Sequence, residues 1–393
     1  MKIKNIIILL DGPIKNDGRV RRVIESLSSI NKIFLYYVNG EESDKSIFNE
    51  NCKLFTFNMV NKWIYKNLFF NKCFSEMENE LLKFNEKIDI IYCNDYPLLA
   101  TAIRLKNLHP NSKLYYDSHE IYIETINQFF PLKGWKKSYG IPLVYINKLY
   151  HSLLETSQVK NIDLLITVCD NFKFYFEKKY NLSNITVVRN CPTKNIEVNN
   201  NNNNNFDLLN ISKNDFIILY QGALNNGRGI EKLFESSVYF ESQIKFIIIG
   251  EGPNYKMYKQ NASLMKYDNI YFLGKIAFEK LLDYTSHAHL GLLLIQSINE
   301  SKKLTLPNKI FEYMTASIPV LSNNLPEATS IINECNCGFI IDDSDPKDIA
   351  NTINNLSRRK EDLKILGENG RKAYEQKYNW ENEIEKLLQI INK

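Results

Sequence analysis

Short runs of apolar, mostly β-branched residues alternate with longer segments of helical period along almost the whole chain. In the first half these runs are KNIIILL, NKIFLYYV, IDIIYCN, KLYYDS, DLLITV and NITVVRN. In the second they are FIILYQG, IKFIIIG, IYFLG, LGLLLI, IPVLSN and GFIID. Runs that are apolar throughout belong to strands covered on both faces, as in parallel sheets. Their alternation with helical segments is the signature of βαβ units. The pattern restarts at Phe216, after the polar tract 199–205, which is asparagine throughout and cannot pack a core. The expected fold is therefore two Rossmann-like, doubly wound parallel-sheet α/β domains facing across a cleft. They occupy 1–195 and 209–376, joined by an Asn-rich linker at 196–208.

Length agrees with this division, since 393 residues amount to two or three domains at about 150 residues each. A hydrophobic content of 44% is too high for a disordered chain. No stretch reaches about 18 consecutive apolar residues, so no transmembrane helix is expected. The opening MKIKNIIILLDG has an apolar run too short for a signal peptide and reads as a first strand. The seven cysteines are scattered apart from Cys335 and Cys337, and no Cys-x-x-Cys pair of zinc spacing occurs. A reduced, cytoplasmic protein is the simplest expectation. The net charge of +4 hides a split. Up to Asn195 there are 27 basic and 20 acidic residues, and beyond it 22 and 25.

In open parallel sheets ligands bind beyond the carboxyl ends of the strands. The first such end is LLDGPIKNDGRVRR, where Gly12 and Gly18 frame a loop and Asp17 can cap the following helix. This is not the G-x-G-x-x-G dinucleotide fingerprint, which argues against a nicotinamide-dependent dehydrogenase. The most informative stretch is LTLPNKIFEYMTASIPVLSNNLPE, 304–327. Thr305 suits an N-cap, Pro307 a first turn, Lys309 that same turn, and Glu312 the next. A lysine at a helix start suits phosphate, and a carboxylate one turn on can accept from two ribose hydroxyls. An ordinary amphipathic helix with a surface Lys/Glu pair reads equally well from these residues. Two Gly-rich strand exits add weight to the first reading. YQGALNNGRGIEKLF, 220–234, carries Arg228 between Gly227 and Gly229, and IIIGEGP, 247–253, carries Gly250 and Gly252. Asp343-Ser-Asp345 has metal-site spacing but reads as a turn before a helix at 346–358, with Asp345 as its N-cap. His287 and His289 read as a helix-to-strand turn. No metal site is expected.

These segments carry a resemblance. LPNKIFEYMTASIPVLSNNLPE resembles the donor-binding signature of retaining glycosyltransferases of the GT-B fold, family 4. YQGALNNGRGIEKLF, IIGEGP and LGKIAFEKLLDYTSHAHLGLLLI are similar to that family in the same order. YDSHE, 116–120, resembles its His-bearing loop, VVRNCP its exit to the linker, and NWENEIEKLL its C-terminal segment, so that 377–393 is expected to pack back on the first domain. The resemblance implies a sugar transferred from a nucleotide-diphosphate donor, a UDP- or GDP-sugar, with retention of configuration, to a glycan acceptor. A lipid-linked glycan in capsule, O-antigen or exopolysaccharide synthesis is the acceptor class in view. It implies that Arg228, Lys309 and Gly12 meet the diphosphate, that Glu312 holds the ribose, and that His119 lies beside the transferred sugar. Gly222, Gly250, Gly252 and Lys275 would shape the nucleotide side, and Leu304, Pro307 and Asn308 the donor-sugar turn. The donor is a substrate, and no further cofactor is implied. The chain departs from the family pattern at Leu304, where many members carry a first glutamate, and at Ala223, where many carry arginine.

Excess positive charge in the first half falls in two windows without acidic residues, 52–75 and 125–154. The first holds Lys53, Lys62, Lys66 and Lys72, the second Lys133, Lys136, Lys137 and Lys148, each among aromatic residues. Basic, aromatic-rich helical segments suit an anionic membrane surface, which points to a peripheral place on the inner face of the cell membrane. No nucleic-acid recognition module accompanies them. Two rival readings remain from sequence: a GT-B nucleotide-sugar epimerase, and a catalytically degenerate scaffold favoured by Leu304 and Ala223.

Overall fold

The computed structural model describes residues 2–59, 73–125, 136–194, 211–265 and 267–393, without the side chains of 136–143 and 278. The proposed linker 196–208 lies outside the described residues. The chain forms two units, Met1–Arg189 with Ile384–Lys393, and Asn190–Glu383. The final helix, Trp380–Asn392, starts in the second unit and ends in the first.

The first unit holds a seven-stranded sheet in the order β3-β2-β1-β4-β5-β6-β7, every pairing parallel. Its strands are β1 (Asn5–Leu10), β2 (Lys32–Val38), β3 (Cys52–Phe57), β4 (Ile90–Asn94), β5 (Lys113–Ser118), β6 (Leu164–Thr167) and β7 (Ile185–Val187). The central strands are the apolar runs of the sequence, and Ile6 to Leu9 are fully buried. Asp17 caps the Gly18–Ser28 helix by accepting from the Val20 N–H at 2.9 Å. The helix Asp170–Tyr180 ends on Asn181 in the left-handed region, a conformation that asparagine tolerates.

The second unit repeats the plan with six strands in the order β10-β9-β8-β11-β12-β13, again all parallel. They are β8 (Phe216–Gln221), β9 (Ile244–Ile249), β10 (Ile270–Gly274), β11 (Leu290–Leu293), β12 (Val320–Asn323) and β13 (Gly338–Ile341). This order reverses between β8 and β11, and a crevice at such a reversal is where doubly wound sheets take ligands. Asp345 caps the Pro346–Ser357 helix through the Lys347 N–H at 2.8 Å.

Two expectations are corrected. Window 52–75 opens not with a helical segment but with β3, an edge strand with a half-exposed pattern. Residues 60–72 of that window, and 126–135 of the second, lie outside the described residues. In the signature stretch, Thr305 is not an N-cap but stands at the C-cap of a short helix. A short helix ends at Leu304, residues 305–307 form a turn, and the next helix begins at Lys309 with Asn308 as N-cap. Pro307 therefore stands before the helix, its carbonyl accepting from Ile310 N–H at 3.2 Å.

Candidate functional site

In the second unit the carboxyl end of β8 is built around one lysine. β8 ends in Gln221, Gly222 follows, and Lys309 from the Lys309–Thr315 helix lies against Gly222 and the Tyr220 ring. Gly222 has φ +126°, and a Cβ there would stand 2.6 Å from Lys309 Cε. Gly250, with φ +135°, closes the same layer, since its Cβ would meet the Gly222 carbonyl at 2.0 Å. Only glycine allows this double approach. Lys309 is 8% exposed, and its Nζ lies 3.9 Å from the centre of the Tyr220 ring, a cation–π contact.

Burial, reinforced by the charge of Arg228 and only partly opposed by Glu312, holds the Lys309 ammonium well below its ordinary pKa of 10.5. Among the described residues neither Lys309 nor Arg228 has a carboxylate within ion-pair distance. Glu312 is held by a short hydrogen bond from Gln221 Nε2, while Gln221 Oε1 accepts from Thr285 Oγ at 2.7 Å. A carboxylate thus stands fixed near Lys309, while neither Lys309 nor Arg228 is held in an ion pair among the described residues. Such an array favours a ligand that brings anionic oxygens to the cations and hydroxyls to the carboxylate.

The remaining expected residues of this unit lie on the following elements. Gly252 follows β9, and Lys275 is exposed just after β10. Leu304 ends the preceding short helix, and Pro307 and Asn308 lead into Lys309. A pocket of about 690 Å³ at the ends of β12 and β13 is lined by Lys232, Gln296, Asn323 and Asp343, among others, and shares none of these residues. Lys232 there is engaged, its Nζ 2.6 Å from the Asp343 carbonyl and 3.2 Å from its carboxylate, so it offers no comparable free cation.

Gly12 and His119 belong to the first unit. Gly12 follows β1, and a Cβ there would meet nothing within 4 Å. His119 follows β5 and sits between two carboxylates. Its Nδ1 is 3.5 Å from Asp95 Oδ2, and its Nε2 is 3.3 Å from Asp117 Oδ2, too poorly aligned for a hydrogen bond. Asp117 is fully buried and gripped by the Arg19 guanidinium at 2.9–3.2 Å and by the Tyr92 hydroxyl at 2.6 Å. Burial opposes its charge, but Arg19 and then His119 outweigh burial and hold the carboxyl below the usual range. Burial likewise opposes the imidazolium, yet Asp95 and then Asp117 push His119 above its ordinary 6.5. His119 is therefore a cation at neutral pH, suited to donate rather than to accept a proton.

Asp95 was not singled out from sequence. It adopts φ 59°, ψ 165°, a region ordinarily reserved for glycine. That backbone lets one carboxylate accept from the His119 N–H at 3.1 Å while facing the ring. The only trace in the sequence is a polar Asn-Asp pair where the apolar run IDIIYC stops. Gln221 and Thr285 were missed as well, and only the terminal glutamine of FIILYQ hints at them. Among the described residues no group of three or more His, Cys, Asp or Glu could hold a metal ion.

Comparison with known proteins follows the same lines. Residues 201–373 match the family model described as Glycosyl transferases group 1, so the second unit carries a domain of that type. A glycosyltransferase of Methanocaldococcus jannaschii, itself uncharacterized, is 21% identical over 185 residues, 46% of each chain. The chain spans about half the length of the curated relatives it matches. Among the solved structures similar over nearly their whole length are the following two. Sucrose-phosphate synthase from Thermosynechococcus elongatus has a TM-score of 0.77 at 16% identity, covering 99% of this chain and 98% of that one. HepE of Anabaena, solved in complex with UDP, has a TM-score of 0.73 at 13% identity, covering 99% of this chain and 100% of that one. The fold is that of GT-B glycosyltransferases: two parallel-sheet, Rossmann-like α/β domains.

Proposed function

We propose that the protein is a retaining glycosyltransferase that moves a sugar from a UDP- or GDP-sugar to a glycan acceptor, lipid-linked, in surface polysaccharide synthesis at the inner face of the cell membrane. The observation that carries this reading is the pair Lys309 and Arg228, without ion-pair partners among the described residues, beside Glu312 anchored by Gln221. It stands in a domain of the group 1 glycosyltransferase type. The relative HepE, solved with UDP, supports a uridine donor.

In the transfer, the bond between the sugar's anomeric carbon and the diphosphate oxygen breaks, and its electron pair leaves with the nucleoside diphosphate. The acceptor hydroxyl oxygen bonds to that carbon and passes its proton to the departing diphosphate oxygen. The developing charge on the diphosphate needs preorganised positive groups, and Lys309 and Arg228 supply them without a metal ion. A buried ammonium already poor in solvent gains most when the anion arrives. Glu312 accepts from the ribose hydroxyls, and Gln221 fixes the carboxylate for that role. For His119, a cation held between Asp95 and Asp117, the proposed role is to lie beside the transferred sugar as a positive charge.

The test is transfer of labelled sugar to membrane-extracted glycan acceptor by the wild type, Lys309→Ala and Glu312→Ala, with circular dichroism to show that the fold survives. Loss of product in both variants by about 100-fold or more is expected. Unchanged transfer in both would remove the site. Conversion of the nucleotide-sugar alone, with no acceptor present, would replace transfer by epimerisation.

A further inference from the structure

The Lys136–Gln158 helix is built inside out. Its inward side carries Asn147, His151 and Glu155, all buried and spaced four residues apart. Two of these polar groups are tied into the first unit. The His151 ring shares a hydrogen bond with the Tyr96 hydroxyl at 2.9 Å. Glu155 accepts from the Tyr116 hydroxyl at 3.0 Å and, in a shorter bond, from Tyr180, with Lys179 Nζ 3.9 Å away. The outward side carries Tyr145, Ile146, Leu149, Tyr150 and Leu153, which are 45–69% exposed. At 3.6 residues per turn these five fall on one face about 140° wide. A helix on the surface of a soluble domain normally shows the reverse arrangement. A contiguous apolar face of this size marks a surface that meets something other than water.

Charge and composition indicate what it meets. The helix begins with Lys136 and Lys137, and the sequence from 125 to 154 contains no acidic residue. The nearest carboxylate on the preceding segment, Glu124, is neutralised by Lys148 at 2.8 Å. Leucine and isoleucine flanked by tyrosine and lysine form the side-chain set of a helix lying in a bilayer interface. No helix among the described residues is long and apolar enough to cross a membrane, so such a helix lies on the bilayer rather than through it.

We propose that the outward face of the Lys136–Gln158 helix, formed by Tyr145, Ile146, Leu149, Tyr150 and Leu153, docks the protein on an anionic lipid bilayer. The inward polar network then acts as a rigid mount. His151 and Glu155 hold the helix by directional hydrogen bonds, which leaves its apolar residues free for lipid.

The experiment is flotation of the full chain with phosphatidylcholine vesicles, with and without phosphatidylglycerol, at low and high salt. The wild type is expected to float with the anionic vesicles and to be released by salt. Leu149→Glu/Leu153→Glu is expected to lower the bound fraction about tenfold or more, with unchanged thermal unfolding because both side chains are exposed. Failure of the wild type to float at low salt, or equal flotation of the double variant, would overturn the proposal. So would light scattering that shows a dimer dissolved by the same double variant, which would give the face to a second copy of the chain. The vesicles contain neither donor nor acceptor, so a negative result leaves the glycosyl-transfer reading standing.

Discussion

Lys309 is kept where an ammonium is unwelcome. Its pKa in the fold lies well below the 10.5 of the free side chain, so at neutral pH the folded state holds this proton less readily than the unfolded chain. Such a group subtracts from stability at every pH below 10.5: the penalty grows as pH falls towards the folded value, is full below it, and disappears only above 10.5. Lys309→Met is accordingly expected to raise the unfolding temperature of the free protein by about 2–4 °C, read by calorimetry, while abolishing the upward shift given by nucleoside diphosphate. A lower unfolding temperature for this variant would mean that the Tyr220 contact outweighs the burial penalty. His119 has the opposite sign. Its folded pKa is raised above 6.5, so its contribution to stability is fully present below pH 6.5 and is lost as pH climbs through the raised value. Asp95→Asn removes one of the two carboxylate charges that sustain it. The His119 midpoint, followed by nuclear magnetic resonance, is expected to fall by about 1–2 pH units. An unmoved midpoint would assign the shift to Asp117 alone. Neither residue's state was legible in the sequence. YDSHE shows a histidine between acidic residues, of which Asp117 does meet the ring, whereas its other partner, Asp95, lies 24 positions away and is brought there by a backbone conformation no pattern announces.

At the scale of elements, the carboxyl end of β8 works because two glycines let a lysine pass. Gly222→Ala would place a methyl 2.6 Å from Lys309 Cε at a φ of +126°. The variant is expected to lose about 1–3 kcal/mol of stability and most nucleotide affinity, by urea unfolding and a binding titration. Retention of both would show that the turn can relax. The strands were legible because both faces of each central one are covered, which makes them nearly continuous apolar words such as NIIILL and IKFIII. β3 escaped because an edge strand needs no such cover, and CKLFTF mixes lysine and threonine into a half-exposed pattern. The start of the Lys309–Thr315 helix was misplaced because Thr305 and Pro307 together imitate an N-cap and first turn. In the fold they form the link between two short helices, and Asn308 takes the capping position.

On the scale of the whole molecule, two repeats of one parallel-sheet plan divide the work by charge. The cations assigned to the donor, Arg228 and Lys309, lie in the half with an acidic excess. The basic excess belongs to the other half, where the inside-out helix is found. The repeat itself was plain from the restart of the pattern at Phe216, because each unit must bury its own sheet. The grouping of Gln221, Thr285 and Glu312 was not, since three polar residues 27 to 91 positions apart acquire a common role only when the sheet is wound. The central claim is that Lys309 and Arg228 form a nucleoside-diphosphate site, and calorimetric titration with UDP and GDP tests it most directly. Wild type is expected to bind one of the two, with or without EDTA, and Lys309→Met and Arg228→Met are each expected to weaken binding about tenfold or more, the loss of a charge-assisted hydrogen bond. Wild-type affinity in both variants would contradict it.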